Sequence, residues 1–413
     1  MTENTGQAIL ADEVVDKLWQ VTEELREPLI RFVQRLIRTP SLPGHEGDVA
    51  TIVADEMRSL YYDAVSIDEA GNVIGLISAT TGQAPRKSVM LNAHMDHVDV
   101  GDHSRWPFPP YGATLHDDEI WGRGSSDLKG SLACQVYAGA LLKKSGLPLP
   151  NDVYVTGVVQ EEVGGLGSSV LAGHLKTDYA VIGEPSANFL ALGHRGRIEM
   201  MVTITGKSVH ASVPQTGVNP LYSMARFLLA IEGLSFEPDQ QFPFLGPTTV
   251  AATLFSTDQT SANVVPGECK LILDFRNAPV DTPEILLSRV QALLADSLGE
   301  GATGEAKINA VTLTSYTGIK RDFSNAAPPF GTAPDAPLAV AAQAALSAAL
   351  KRPVGTKIWP FATDAGHLVG VGIQVIGFGP GHEEVIHTVG ERIPVSEMLE
   401  ATVGNAAIAL CLP

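Results

Sequence analysis

The stretch VYVTGVVQEEVGG (153–165) decides the fold. Its first part, Val153–Val159, is a short run of mostly apolar residues that does not alternate with polar ones. A strand of that composition belongs in a sheet with helices on both faces. The run then breaks into Glu161-Glu162 and Gly164-Gly165. Adjacent carboxylates at the mouth of a sheet repel one another unless a cation or a shared proton relieves them. Taken alone, the pair could equally be a solvated loop.

Working outward, similar apolar runs recur at Ala64–Ile67, Val73–Ile77, Val89–Asn92, Tyr179–Ile182 and Val375–Phe378. Helical spacing lies between them. It covers residues 12–39 (Val15, Leu18, Val21, Leu25, Ile30, Val33, Leu36), about 46–60, and Lys129 to Ser145. The pattern predicts an α/β fold, a mixed sheet covered by helices on both faces.

The texture changes near residue 195. Arg197–Thr205 alternates as a half-buried strand, Pro220–Ile231 is helical, and Thr248–Phe255 and Lys270–Arg276 are strands. A helix over Thr282–Leu298 and a strand over Ala306–Thr314 complete a βαββαβ unit. The Pro-rich stretch Ala326–Pro337 then leads back. The expected organisation is a discontinuous domain, 1–194 and 315–413, with a smaller domain, 195–314, inserted into it.

A formal net charge of −18 disfavours nucleic acid and an anionic membrane as partners. Cys134, Cys269 and Cys411 form no paired framework and read as buried thiols. The start, MTENTGQAIL, lacks a basic segment followed by an apolar run, and no apolar stretch approaches ~18 residues. The expectation is a soluble, cytoplasmic protein.

Four segments place histidines and carboxylates near predicted strand ends. In LNAHMDHVDVGD (91–102), His94 and Asp96 lie two apart and share a face, so Asp96 could orient a ligating imidazole. GRGSSDLKG (122–130) sets Asp127 at a helix start, where an N-cap is the plain alternative. Glu161-Glu162 is the third, with VIGEPS (181–186) repeating the theme at Glu184. The fourth, GFGPGHEEVIHTVGE (377–391), leaves a strand and reaches His387. Open α/β sheets form crevices at such strand ends. Mixed nitrogen and oxygen donors suit zinc, with cobalt or manganese as substitutes. Neither Ser125 nor Ser131 sits in Gly-x-Ser-x-Gly, which argues against a serine hydrolase.

These motifs, in this order from about residue 30 to the C-terminus, resemble the dinuclear zinc amidohydrolase family of acetylornithine deacetylase, succinyl-diaminopimelate desuccinylase, aminoacylase and glutamate carboxypeptidase. WPFPPYGATLHDDEIWGRGSSDLKG (106–130) also looks close to a less characterised branch that includes hydrolases linked to selenium metabolism. The resemblance implies two divalent ions bridged by Asp127, with His94 and Glu184 completing one site and Glu162 and His387 the other. Asp96 would orient His94, and Glu161 would be the general base. It implies that the inserted domain is a lid that dimerises. His210, in GKSVHASVPQTGVNP (206–220), would then reach the partner subunit's active site. Asn263 and Arg276, in SANVVPGECKLILDFR (261–276), would hold a substrate carboxylate. Without the resemblance His210 reads as a surface residue and Arg276 as an ion-pair partner. Relatives commonly carry Asn-Ala where this chain has Asn219-Pro220, and proline is tolerated in a first helical turn.

The expected activity is hydrolysis of an amide in a small carboxylate-bearing substrate, an N-acyl amino acid or dipeptide, by a water bridging the metals. C-terminal peptidase or carbamoyl-amino-acid hydrolase action would use the same machinery. A non-catalytic metal-binding relative is the reading of another class. Asp364 and His367, in FATDAGHL (361–368), lie where relatives often line the pocket.

Overall fold

A computed structural model describes residues 10–81 and 86–412. The start MTENTGQAI (1–9), read above as no leader, lies outside the described residues. Among these residues no helix is long and apolar enough to cross a membrane.

The larger sheet is mixed and nine-stranded, and its middle is parallel. Strand Ser88–His94 lies between Asp152–Val158 and Tyr179–Ile182, parallel to both, and Gln374–Gly377 extends the parallel set beside Tyr179–Ile182. Ala64–Ile67 and Val73–Ile77 add an antiparallel edge; on the other side Leu190–His194 and Phe330–Gly331 are antiparallel, and Thr356–Trp359 runs parallel to Leu190–His194. Helices cover both faces. Val89 and Leu91 join the core under helices Asp12–Ile37, Gly130–Ser145 and Val395–Cys411, whereas Met90 joins the one under Leu166–His174 and Ala365–Val369. This two-sided burial is why the apolar runs do not alternate.

A second sheet has its own core. Its order is Thr249–Thr257, Glu268–Arg276, Arg197–Thr205, Thr303–Ile308, and Ala326–Ala327 also pairs with Arg197–Thr205. Helices Pro220–Glu232 and Pro283–Ser297 bury its alternating face, on which Ile198, Met200, Val202 and Ile204 are all buried. Asn219 caps the first of these helices by accepting the N–H of Leu221, ahead of Pro220.

Three expectations need correction. Ala306–Thr314 is not one strand: Thr303–Ile308 belongs to the second sheet, and Ala310–Thr314 forms a hairpin with Lys320–Ser324. The hairpin's turn docks beside the larger sheet, where the Tyr316 hydroxyl donates to the Gly71 carbonyl oxygen ahead of strand Val73–Ile77. Asp127 does not start a regular helix but sits in a turn with φ −124° and ψ 88°, ahead of Gly130–Ser145. Cys134 and Cys269 are buried, whereas Cys411 is only partly so.

Candidate metal centre

The parallel strands end at one edge of the sheet, and their extensions supply the site. His94 is the last residue of its strand, Glu161 and Glu162 follow Val158, Glu184 follows Ile182, and His387 follows the loop after Gly377. Asp127 arrives from the turn before Gly130–Ser145. Buried Lys129 fixes that turn, donating from Nζ to the carbonyls of Leu36 and Thr39 at the end of the first helix.

Asp127 stands between the two histidines. Its Oδ1 is 3.0 Å from His94 Nε2 and its Oδ2 is 3.1 Å from His387 Nε2. Glu184 Oε1 lies 3.6 Å from His94 Nε2, and Glu162 Oε2 lies 3.2 Å from His387 Nε2. Asp127 and Glu184 both approach His94, Asp127 and Glu162 both approach His387, and His94, Asp127 and Glu162 themselves bring donor atoms within 4.8 Å of one another. Glu161 joins the set on the His94 side, its carboxylate within 4.8 Å of the donor atoms of His94 and Glu184.

Asp96 faces the Glu161 loop as well as His94. Its two oxygens accept the backbone N–H groups of Glu161 and Glu162, each at 3.1 Å. His94 Nδ1 meets the Asp96 backbone carbonyl at 3.1 Å and its carboxylate at 3.5 Å. Buried Glu46 also holds the Glu161 loop, with Oε1 accepting from the N–H groups of Gly44 and Gln160. Beyond the loop, Gly165 has φ +74°, and a Cβ there would fall 2.4 Å from Asp364 Oδ1 and 2.5 Å from His367 Nε2. Only glycine allows that approach.

Burial raises Glu161 and Glu184 well above the carboxylate range; neighbouring carboxylates add to this, and the His94 charge opposes it. Glu162 is raised by burial and by Asp127. Burial also works against an ionised Asp127, but its hydrogen bonds to His387 and His94 win and hold it low. Those bonds, with Glu162, raise His387 to about 10. For His94, burial opposes the charged form, yet the bonds to Asp127 and Asp96 lift it well above its usual value. The cluster therefore demands positive charge, which protons supply alone or divalent cations would supply better. Carboxylate and imidazole donors at these separations fit a pair of such cations.

A pocket of about 480 Å³ opens beside the cluster. Glu161, Glu162, Asp364 and His367 line it from the side of the larger sheet, and Arg197, Arg276 and the segment 324–327 from the side of the smaller one. His210 and Asn263 are not brought there. Both are exposed on the small pair Val209–His210 and Val264–Val265 and the segment before it, where His210 Nδ1 meets Ser212 Oγ and Asn263 Oδ1 meets Ser261 Oγ. Arg197, Arg123, Glu391 and Glu46 went unread in the sequence. Arg197 alone carried a local signal, a cation opening an alternating strand.

Residues 90–409 match the profile of peptidase family M20/M25/M40. A protein of uncharacterised function from Escherichia coli, YgeY, is 31% identical over 393 residues, covering 94% of this chain and 95% of its own. Succinyl-diaminopimelate desuccinylase 2 of Shewanella loihica is 29% identical over 286 residues, covering 66% and 74%. The fold is similar to aminopeptidase PepT from Bacillus cereus, with a TM-score of 0.76 at 20% identity over 94% of this chain and 98% of that one. By family profile and overall relatedness, the chain belongs to peptidase family M20/M25/M40 and is a metal-dependent hydrolase acting on peptide-like substrates.

Proposed function

We propose that this enzyme hydrolyses the amide bond of a small substrate bearing a free carboxylate, an N-acyl amino acid or a dipeptide, in the cytoplasm. The observation that carries the reading is Asp127, with one oxygen to each histidine. In it, His94, Asp127 and Glu184 hold one divalent ion and His387, Asp127 and Glu162 a second, zinc being the first choice and cobalt or manganese substitutes. When bound, the pair supplies Lewis acidity that activates water and polarises the carbonyl.

The protein's own groups do the rest. Glu161 takes the proton of the attacking water on its carboxylate and returns it to the leaving nitrogen. Asp96 keeps that carboxylate in place through the N–H groups of Glu161 and Glu162. Arg276 pairs with the substrate carboxylate through its outer nitrogens, since its Nε is already fixed on Asp274 at 2.8 Å. Residues 195–314 act as a lid. His210 and Asn263 serve the active site of a second copy, His210 stabilising the developing oxyanion. In support of a dimer, edge strand Thr249–Thr257 leaves Leu254 and Phe255 exposed, and a groove of about 820 Å³ runs between it and helix Pro220–Glu232. An open, apolar strand edge is a natural site for pairing with another copy.

The test is elemental analysis of the purified protein together with amine release from a panel of N-acyl amino acids and dipeptides. Close to two ions per chain, with chelator-sensitive release from at least one compound, is expected. A protein that stays metal-free and inert after metal reloading would overturn the reading.

A further inference from the structure

Two arginines, rather than one, line the pocket beside Glu161 and Glu162. Arg276 ends the strand Glu268–Arg276 and Arg197 opens the neighbouring Arg197–Thr205. The antiparallel register pairs Ile198 with Phe275, so the next position sets Arg197 across from Arg276. Like charges placed so are destabilising unless something lies between them. Asp274 does: Arg197 Nε donates to its Oδ2 at 2.9 Å and Arg276 Nε to its Oδ1 at 2.8 Å. Arg197 Nη2 further reaches Glu199 Oε2 at 3.3 Å, and Asn309 Nδ2 donates to the other Glu199 oxygen at 2.7 Å.

Each guanidinium is thus anchored at its Nε edge. Among the described residues, no partner meets either terminal nitrogen of Arg276 or Nη1 of Arg197. The side chains keep 39% and 37% of their surface exposed. An anchored guanidinium is a pre-organised fork for a carboxylate. Asp274 occupies the Nε edge of both guanidiniums, so a substrate carboxylate must be met by their outer nitrogens. Arg276 keeps both outer nitrogens for a carboxylate, and Arg197 keeps Nη1.

We propose that Arg197 forms a second carboxylate subsite beside Arg276, making the enzyme selective for dicarboxylic substrates; this rests on the amide-hydrolase reading above. The competing account is that Arg197 only positions Asp274, and through it Arg276. That account slows all carboxylate substrates alike, whereas a second subsite changes the discrimination between them.

The experiment compares kcat/KM of the metal-loaded enzyme for N-acetylglutamate and N-acetylglutamine, which differ by one charge at constant shape, in wild type, Arg197→Met and Arg197→Lys. A hydrogen-bonded ion pair is worth about tenfold or more. Wild type should favour the diacid by about that factor, Arg197→Met should bring the ratio near one, and Arg197→Lys should keep part of it. Equal losses on both compounds in Arg197→Met, or no preference in wild type, would overturn the proposal. Calorimetric binding of glutarate and its monoamide separates this from failure of the hydrolase reading. Should neither acetyl compound be cleaved, tighter glutarate binding that Arg197→Met abolishes still supports the subsite, and equal binding in wild type removes it.

Discussion

Arg123 and Glu391, 268 positions apart in sequence, meet as an ion pair with 3% and 0% of their side-chain surface exposed. The other Glu391 oxygen accepts the backbone N–H groups of Ser126 and Asp127 at 3.2 and 3.1 Å. The pair therefore holds the turn from which Asp127 reaches both histidines. Breaking a buried pair by removing one partner leaves an uncompensated charge. Arg123→Met should cost about 3–5 kcal/mol in denaturant titrations, with Arg123→Lys recovering part of it. A cost below ~1 kcal/mol would mean that water reaches the carboxylate and the pair does not carry the turn.

Glu161→Gln keeps the size of the side chain and removes its ability to take a proton. Turnover should fall by about 10²–10⁴ while the metal content stays that of wild type. Elemental analysis beside the rate separates loss of the base from loss of the ions. A variant with both full metal and near wild-type kcat would end the assignment.

Asp96→Asn tests the support beneath that base. An amide has one acceptor oxygen, so it cannot accept both the Glu161 and Glu162 N–H groups as the carboxylate does. Metal affinity, measured by competition with a chelator, should weaken by about 10–100-fold. An unchanged affinity would show that the loop holds itself.

How much of this was legible follows from what local sequence encodes. His94, Glu162, Glu184 and His387 could be singled out because each closes or follows a short apolar run. That their strands lie side by side and parallel depends on long-range pairing, which periodicity does not carry. Arg123 and Glu391 were invisible for the same reason, since each has an ordinary local context. The hairpin Ala310–Thr314 with Lys320–Ser324 was missed differently. Asn309 interrupts the alternation, and the turn residues of SYTG (315–318) follow, a signal that was present and read as the end of a domain. Arg197 looked like the start of a half-buried strand, and its partner across the register became visible only with the sheet.

His194 gives a prediction in pH. Burial pushes its imidazole down to about 4, and its Nε2 accepts the Thr363 N–H at 3.0 Å while Nδ1 meets the Arg195 carbonyl. Its ordinary value is 6.5. Between those values the unfolded chain binds the extra proton, so stability rises with pH. The contribution is complete above about pH 6.5 and is lost as pH falls towards 4, roughly 3 kcal/mol in all. Urea midpoints measured across that window should fall less steeply for His194→Gln than for wild type. Parallel slopes would show that the imidazole is already charged in the folded protein.

His210 offers the last prediction, because its own chain leaves it outside the pocket. If a second copy uses it as an oxyanion donor, His210→Ala should lose about 10²–10³ in turnover. Glu161→Ala should be inactive as well. Each active site in a mixed dimer would combine one chain's Glu161 with the partner subunit's His210. In a dimer of one variant with the other, the site with an intact Glu161 in the His210→Ala chain would therefore also have an intact histidine. Random exchange makes about half of the dimers mixed, each with one competent site of two, so mixing should restore about a quarter of wild-type activity. No recovery after exchange has been verified by mass would mean that His210 does not act across a subunit interface.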